Sequence, residues 1–237
     1  MARRILLVHG LSSSSAGWWR VRGWLENADW QVETIELRGH GGSPPAASYA
    51  LDGYVADLAA TGPWDAVLAH SLGGSAATVA AARDAAWTAR LALLDPVWRI
   101  PAAQWDAVVA DQEDELALTR EALLAAKPHW HPRDVAAKLA ALAQVDPAAV
   151  TRSFIDTAPD THDWDLLPDA LSLAVPTLVL GGDPAVYTML EPDDATMVTA
   201  ANPEVDYRIV SGAGHSPHRD VPELTRELLL EWLAGEP

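Results

Sequence analysis

Cysteine is absent from the 237 residues of this chain, and basic residues are few. The lack of cysteine excludes disulfide bonds, a thiolate nucleophile and a thiolate metal site. Only 16 Lys and Arg stand against 33 Asp and Glu, so the surface carries a strongly negative field. Such a field repels phosphate backbones and anionic lipid headgroups, which argues against nucleic-acid and membrane partners. We therefore expect the binding partner to be a small-molecule substrate.

Long apolar runs are also missing. None approaches the length of a membrane span, and the four apolar residues before His9 are too few for the core of a signal peptide. A cytoplasmic protein is the resulting expectation. Hydrophobic residues make up 49% of the chain, which is enough for one large core, and a single domain is usual at this length.

Short β-branched or leucine-rich runs alternate with longer alanine-rich amphipathic stretches along most of the chain. This alternation is typical of βα units that build a parallel sheet. The predicted strands are Ile5–Val8, Val32–Glu36, Ala66–Ala69, Leu91–Leu94, Thr177–Leu180 and Asp206–Val210. The predicted helices lie near Trp18–Ala28, Asp52–Thr61, Leu72–Ala86, Asp193–Ala201 and Val221–Leu233.

The alternation lapses between Trp98 and Leu173, where no strand-like run occurs and the sequence is helical, acidic and rich in proline. We interpret residues 98–173 as a helical cap inserted into one core domain, which consists of residues 1–97 and 174–237. Four of the chain's eleven tryptophans fall in this insert. Because such side chains must pack against something, they predict an apolar pocket over the carboxyl edge of the sheet. Trp98 and Trp130 are the predicted substrate contacts.

The segment Ala69-His70-Ser71-Leu72-Gly73-Gly74 follows a predicted strand and begins a predicted helix. A turn that lifts a serine hydroxyl above a sheet requires small residues two positions before and two positions after the serine. Ala69 and Gly73 meet this need, although alanine replaces the more usual glycine at the first position. Ser71 could instead be an ordinary helix N-cap, but the two glycines would weaken such a helix start. Ser71 is the predicted nucleophile.

A serine nucleophile needs a general base and donors for the developing oxyanion. Gly212-Ala213-Gly214-His215 follows the last predicted strand, and His215 has the chain order that this arrangement requires. His215 is therefore the predicted base. The backbone amides of Leu11, which follows the first strand, and Leu72, which follows Ser71, are the predicted oxyanion hole.

Four segments together resemble the motifs of the α/β-hydrolase superfamily over nearly the whole chain. They are Val8-His9-Gly10-Leu11, Leu37-Arg38-Gly39-His40-Gly41-Gly42-Ser43, His70-Ser71-Leu72-Gly73-Gly74 and Gly212-Ala213-Gly214-His215. The resemblance implies a mainly parallel sheet with helices on both faces. The first motif begins almost at Met1, which leaves no room for the family's two leading antiparallel strands. We therefore expect about six strands, all parallel.

The acid that orients the histidine has two candidates, since the family places it after either of two strands. Asp183 lies one residue past Gly182, whereas the common pattern places the acid three residues past the glycine, at Ala185 here. Asp95 ends a predicted strand. The loop Gly182-Asp183-Pro184-Ala185 resembles that of haloalkane dehalogenases, which carry their acid at the position equivalent to Asp95. Asp95 is the favoured acid, and Asp183 remains the alternative.

Metal binding by His129-Trp130-His131 is disfavoured, because side chains two residues apart diverge on a strand and on a helix. We expect neither a metal nor a cofactor. The resemblance implies a serine hydrolase that cleaves a carboxylic ester or lactone through an acyl-enzyme. The alternatives are a carbon–carbon bond hydrolase, an amidase or an acyltransferase on the same residues, and a non-catalytic ligand-binding protein of this fold.

Overall fold

Six parallel strands form the central sheet of the computed structural model, which describes residues 2–161 and 163–235. His162, which the sequence assigns to the insert, lies outside the described residues. The order across the sheet is β2-β1-β3-β4-β7-β8, and every neighbouring pair is parallel. The strands are β1 (Arg3–Val8), β2 (Trp30–Ile35), β3 (Ala66–His70), β4 (Leu91–Leu94), β5 (Arg99–Ile100), β6 (Trp164–Asp165), β7 (Thr177–Gly181) and β8 (Val205–Ile209), of which β5 and β6 lie outside this sheet. The predicted six-stranded parallel sheet is confirmed.

Helices cover both faces of the sheet, so its central strands are apolar on both sides. Along β1, Ile5 and Leu7 point into one hydrophobic cluster, whereas Leu6 and Val8 point into the other. The helices are α1 (Trp19–Glu26), α2 (Leu51–Ala59), α3 (Ser71–Arg83), α4 (Trp105–Leu116), α5 (Arg120–Ala126), α6 (Pro132–Gln144), α7 (Pro147–Thr157), α8 (Leu167–Leu171), α9 (Pro192–Ala201), α10 (Pro217–Asp220) and α11 (Pro222–Ala234). Helices α1 and α11 pack into the first cluster, and α2, α3 and α9 into the second. Within residues 2–161 and 163–235, no helix has the length and apolar character needed to cross a bilayer.

The predicted insert contains helices α4 to α8, but the expectation that it has no strand is wrong. Strands β5 and β6 form an antiparallel ribbon near the two ends of the insert, where Ile100 pairs with Trp164. Strands of two residues are too short to leave a periodic pattern in the sequence. The ribbon brings the two ends of the insert together beside the sheet.

Three of the insert's tryptophans anchor it to the core. Trp98, Trp105 and Trp164 are buried in the cluster that covers α3. The indole nitrogen of Trp98 donates a 3.1 Å hydrogen bond to Thr78 Oγ1, and that of Trp164 donates a 2.8 Å bond to the carbonyl of Val97. Because buried indole N–H groups need acceptors, these bonds specify how the insert sits on the sheet.

The connections that follow the neighbouring strands β1 and β3 run in opposite directions across the sheet. The chain after β1 continues to β2 on one side, and the chain after β3 continues to β4 on the other. In open α/β sheets a crevice forms at such a reversal, beyond the carboxyl ends of the strands. The segments that follow β1 and β3 contain Leu11 and Ser71, and both line a cavity at this edge.

Candidate active site

Ser71 lies at a sharp turn between β3 and α3. Its φ of +53° is left-handed, a conformation that costs a non-glycine residue about 1–3 kcal/mol. Small neighbours make the turn possible. A Cβ at Gly73 would collide with the carbonyl oxygen of His9, and one at Gly10 would lie 2.8 Å from Ser71 Cβ. The turn therefore depends on close contact between the start of α3 and the end of β1.

The structure brings Ser71, His215 and Asp95 together in one chain of hydrogen bonds. His215 Nε2 lies 2.8 Å from Ser71 Oγ, and His215 Nδ1 lies 2.5 Å from Asp95 Oδ2. His215 stands on the loop between β8 and α10, and a positive φ of +79° at Gly212 turns that loop back over the sheet. With the Nδ1 proton donated to Asp95, Nε2 is the atom that can accept a proton from Ser71.

Asp95 follows β4 and is fully buried. Its Oδ1 accepts hydrogen bonds from the amide of Gly182 at 2.8 Å and from Thr188 Oγ1 at 2.5 Å. Its Oδ2 accepts a further bond from the amide of Met189 at 2.9 Å, in addition to that from His215. A buried carboxylate needs such donors to offset its desolvation. They also prevent it from turning away from the histidine.

Asp183, the alternative acid, makes no hydrogen bond to His215. Its Oδ2 accepts from the amide of Gly212 at 2.8 Å and its Oδ1 from the amide of Ala185 at 2.9 Å. The hydrogen bond from Gly212, followed by that from Ala185, lowers the pKa of the Asp183 carboxyl. Asp183 therefore shapes two loops, and Asp95 is the acid that the structure brings to the histidine.

The amides of Leu11 and Leu72 belong to the two segments that meet at the crevice. The Leu72 amide is in the first turn of α3, where N–H groups have no acceptor within the helix and the helix dipole favours negative charge. The Leu11 amide donates to no other backbone group in the described part of the chain. Both residues line the cavity that Ser71 also lines, so their amides remain the candidate oxyanion hole.

Two buried histidines hold the segment that contains Leu11, a role that the sequence did not reveal. His40 Nε2 accepts a 3.1 Å hydrogen bond from the amide of Ser12, and His9 Nε2 accepts one of 3.1 Å from the amide of Leu37. Burial, together with the nearby His9, lowers the pKa of His40 to about 3. The neutral His40 ring can therefore accept the Ser12 bond at neutral pH. The signal in the sequence is the segment around His40, which carries the family resemblance but does not indicate this role.

His70 supports the loop that carries His215. Its Nε2 lies 2.7 Å from the His215 carbonyl oxygen and can donate to it. Burial lowers the pKa of His70 well below its ordinary value, as it does for the pKa of His218, whose ring lies 5.1 Å from that of His70. His218 in turn stacks on Trp18 at 4.8 Å. The rings of His70, His218 and Trp18 thus pack in sequence behind the loop that carries His215.

A cavity of about 340 Å³ opens above Ser71, within the size range of small-molecule sites. Much of its wall is apolar, formed by Leu11, Leu72, Val97, Leu118, Leu123, Ala126, Trp130, Phe154 and Met189. Trp130 thus lies where the sequence predicts a substrate contact. The same prediction for Trp98 is wrong, because Trp98 is fully buried against α3 and does not reach the cavity.

The insert also contacts the segment that contains Leu11. Lys138 Nζ, on α6, donates to Ser12 Oγ at 2.7 Å, to the Ser12 carbonyl at 3.1 Å and to Glu115 Oε1 at 2.5 Å. Ser12 Oγ donates to the other Glu115 oxygen at 2.6 Å. Burial lowers the pKa of Lys138 although Glu115 opposes it. Burial alone would raise the pKa of Glu115, but the Lys138 charge and hydrogen bonds lower it overall.

The histidines around Trp130 have separate surroundings. His129 Nε2 lies 3.0 Å from Asp220 Oδ1, whereas His131 Nδ1 accepts a 3.1 Å bond from the amide of Arg133 at the start of α6. Among the residues that the structure describes, no three His, Cys, Asp or Glu side chains are grouped as metal ligands. These histidines therefore contribute to helix capping and local packing.

The chain belongs to the alpha/beta hydrolase family, whose sequence model matches residues 5–228. Among characterised proteins, it is similar to the lipase LipV of Mycobacterium tuberculosis, with 32% identity over 152 residues. That match covers 61% of this chain and 53% of the lipase, so it spans about half of that relative's length.

Solved structures share the fold over almost the whole chain. E-2-(acetamidomethylene)succinate hydrolase superimposes with a TM-score of 0.81 at 20% identity, covering 98% of this chain and 92% of its own. The enol-lactonase of Burkholderia xenovorans gives 0.77 at 21% identity, with 99% and 92% covered. The carboxylesterase CesB of Bacillus subtilis gives 0.76 at 20% identity, with 100% and 85% covered. At these identities the likeness concerns the fold alone.

Proposed function

We propose that this chain is a serine hydrolase that cleaves a carboxylic ester or lactone of a small, largely apolar substrate. The observation that carries the proposal is the unbroken hydrogen-bonded chain from Asp95 through His215 to Ser71, at the base of a cavity with a largely apolar wall. A serine hydroxyl next to an imidazole that a carboxylate orients is the arrangement that acyl transfer requires.

In the first half of the reaction, Ser71 Oγ attacks the carbonyl carbon of the substrate while His215 Nε2 takes the hydroxyl proton. Negative charge develops on the carbonyl oxygen, which accepts hydrogen bonds from the amides of Leu11 and Leu72. Asp95 stabilises the imidazolium. The tetrahedral intermediate then expels the alkoxide, which takes the proton from His215. The alcohol of an ester leaves, whereas the new hydroxyl of an opened lactone stays attached to the acyl group.

In the second half, water attacks the acyl-enzyme ester and His215 accepts its proton. The second tetrahedral intermediate expels Ser71 Oγ, which regains the proton from His215, and the carboxylic acid leaves. The turn at Ser71 contributes by holding Oγ on the cavity side. Its strained backbone conformation is already present before a substrate binds.

The lipase relative supports an ester as the substrate, whereas the similar solved structures are named for several kinds of substrate. Similar proteins include a lipase, a carboxylesterase and an enol-lactonase. Another similar structure is named for the hydrolysis of E-2-(acetamidomethylene)succinate, so the fold alone does not choose the bond. The apolar wall around Ser71 favours the acyl or alcohol part of an ester over a peptide chain.

The test is a rapid-mixing assay with p-nitrophenyl acetate, in which we expect a burst of nitrophenolate followed by slower turnover. A fluorophosphonate should label Ser71 alone, as located by peptide mass spectrometry. Ser71→Ala should abolish burst and label together and lower turnover by several orders of magnitude. Ser216→Ala is the control, since Ser216 lines the same cavity and its loss should leave the label in place.

Wild-type protein that folds but gives neither burst nor label would contradict the proposal and indicate a binding protein instead. Labelling that persists in Ser71→Ala would show that another serine is the nucleophile.

A further inference from the structure

Arg219 is a buried cation in the wall of the cavity that the candidate site uses. It lies on α10, four residues after His215, and only 5% of its surface is exposed. Its side chain lines the same cavity as Ser71. The proposed hydrolytic steps assign it no role. The chain has a net charge of −17, yet it buries this cation in the wall of the cavity that Ser71 also lines. An anionic group of a ligand is one partner that could account for it.

The guanidinium is only partly satisfied by the protein. Nη2 donates a 3.1 Å hydrogen bond to Ser13 Oγ, and the group lies 5.1 Å from the centre of the Trp130 ring. Nε is buried without a hydrogen-bond partner. In the described part of the chain, Nη1 has no hydrogen-bond partner either, yet it is not among the nitrogens sealed from solvent. Nη1 is therefore the nitrogen that can reach the cavity.

The acids around Arg219 are bound to other donors. Asp134 pairs with Arg20 at 3.0 Å, and Glu115 pairs with Lys138 at 2.5 Å. Asp220 accepts from the indole nitrogen of Trp130 at 2.7 Å and from the amide of Gly214 at 2.9 Å. Within residues 2–161 and 163–235, no carboxylate lies within ion-pair distance of Arg219. Its charge is offset only from a distance.

A buried charge without a contacting partner is unfavourable, and a bound anion would relieve it. A carboxylate suits the donors present, because one oxygen can accept from Nη1 of Arg219 and the other from the hydroxyl of Ser13, which lines the same cavity. Ser13 Oγ accepts from Arg219, so its own hydroxyl hydrogen is available to the same anion. Asp111 and Glu115 also line the cavity, which disfavours a doubly charged phosphate relative to a singly charged carboxylate.

We propose that Arg219 and Ser13 form a carboxylate subsite, so that the substrate is an ester or lactone that also carries a free carboxylate group. The inference rests on the proposed function for the reaction at Ser71, and it adds the substrate's second functional group. The apolar wall between the two polar ends then contacts the carbon skeleton that joins them.

Binding is tested without hydrolysis in the Ser71→Ala variant by isothermal titration. The probes are monomethyl glutarate, which has one carboxylate, dimethyl glutarate, which has none, and inorganic phosphate. Monomethyl glutarate should bind at least tenfold more tightly than the other two. Adding Arg219→Met should remove this preference, and adding Arg219→Lys should retain part of it. Arg226→Met, which removes an exposed arginine of α11, is the matched control and should leave the preference in place.

Equal binding of the two glutarate esters to Ser71→Ala would overturn the subsite, as would tighter binding of phosphate or a preference that survives Arg219→Met. The comparison of probes in Ser71→Ala alone decides the matter if the arginine variants fail to fold, which a thermal unfolding scan would reveal.

Hydrolysis provides the second readout. Two pairs of substrates are compared, one with the carboxylate on the acyl part of the ester and one with it on the alcohol part. One pair is p-nitrophenyl hydrogen glutarate against p-nitrophenyl 5-methylhexanoate, and the other is 3-carboxyphenyl acetate against phenyl acetate. The ratio of kcat/KM should favour the charged member at least tenfold in one pair and should fall at least tenfold in Arg219→Met. A ratio near one in both pairs overturns the subsite. If no ester is cleaved, the proposed hydrolase function fails, while the titrations still decide whether Arg219 binds a carboxylate.

Discussion

The backbone amide of Gly182 donates a 2.8 Å hydrogen bond to Oδ1 of Asp95. The loop that contains the alternative acid, Asp183, therefore supports the carboxylate of Asp95. Thr188 and Met189 donate to Asp95 from the same loop. In the sequence, the segments that contain Asp95 and Asp183 are alternative sources of the acid that orients His215. In the structure, the first provides the carboxylate and the second provides hydrogen-bond donors to it.

Replacing Asp95 by Asn should lower turnover of p-nitrophenyl acetate by about 10²–10⁴, because an amide favours the wrong imidazole tautomer. Asp183→Asn weakens only loop contacts and should lower turnover about tenfold or less. Steady-state kinetics of both variants and of the double variant measure the contrast. Near-normal turnover in Asp95→Asn, together with an inactive Asp183→Asn, would show that Asp183 and not Asp95 is the acid that orients His215.

Lys138→Met should damage catalysis from a distance, because it frees Ser12, next to the Leu11 amide, and leaves Glu115 without its cation. We expect kcat to fall by about tenfold or more. Stability should also fall, but by less than the roughly 3–5 kcal/mol of a fully buried pair, because the Glu115 side chain is 30% exposed. Initial rates and urea unfolding measure the two effects. Arg152→Met is the control, since Arg152 pairs with Asp156 on the surface of the insert, and it should cost less than about 1 kcal/mol.

A Lys138→Met variant with normal kcat but reduced stability would mean that the ion pair only anchors the insert. The double variant Lys138→Met/Glu115→Gln removes the unpaired carboxylate as well, so it should recover part of the lost stability. It should not recover the rate if Lys138 positions Ser12 directly.

Gly73→Ala should destabilise the protein, because the added Cβ would collide with the backbone of His9 at the end of β1. Gly23→Ala is the matched control, a helical glycine of α1 with open space around its Cβ position. The control should gain about 0.5–1 kcal/mol from helix propensity. Urea unfolding of the two variants measures the difference. Equal stabilisation by both substitutions would show that the contact between α3 and β1 relaxes easily.

Buried histidines predict sensitivity to acid. Burial lowers the pKa of His40 to about 3 and the pKa of His218 well below its ordinary value, so the native state stays neutral where the unfolded chain binds protons. Stability therefore falls as pH drops below about 6.5, by about 1.4 kcal/mol per pH unit for each histidine. His218→Phe keeps an aromatic ring beside Trp18 and removes one such group. Urea unfolding should show about 2 kcal/mol less loss between pH 7 and pH 5. An unchanged pH dependence would mean that His218 titrates in the folded protein as it does in the unfolded chain.

Much of the fold follows from local patterns in the sequence. Apolar or β-branched runs bounded by turns indicate each strand of the sheet to within two residues at either end. The signal is plainest for β3, β4 and β7, which are buried on both faces and apolar almost throughout. Ser71 and His215 can be predicted from the sequence for a related reason. Each lies in a short segment where small residues permit a particular backbone turn, and such a requirement is visible in the sequence itself.

Other features depend on contacts between distant parts of the chain. Ser12 meets Glu115 and Lys138 only because the insert packs over the end of β1, and Arg219 meets Ser13 for a similar reason. No spacing or motif in the sequence encodes these meetings. Trp98 shows the same limit, since a tryptophan of the insert can face either the cavity or the core, and the packing against α3 places it in the core. Local turns follow from the sizes of neighbouring residues, whereas the charge and shape of the cavity arise from long-range packing, in which each side chain's environment is supplied by residues far away in the chain.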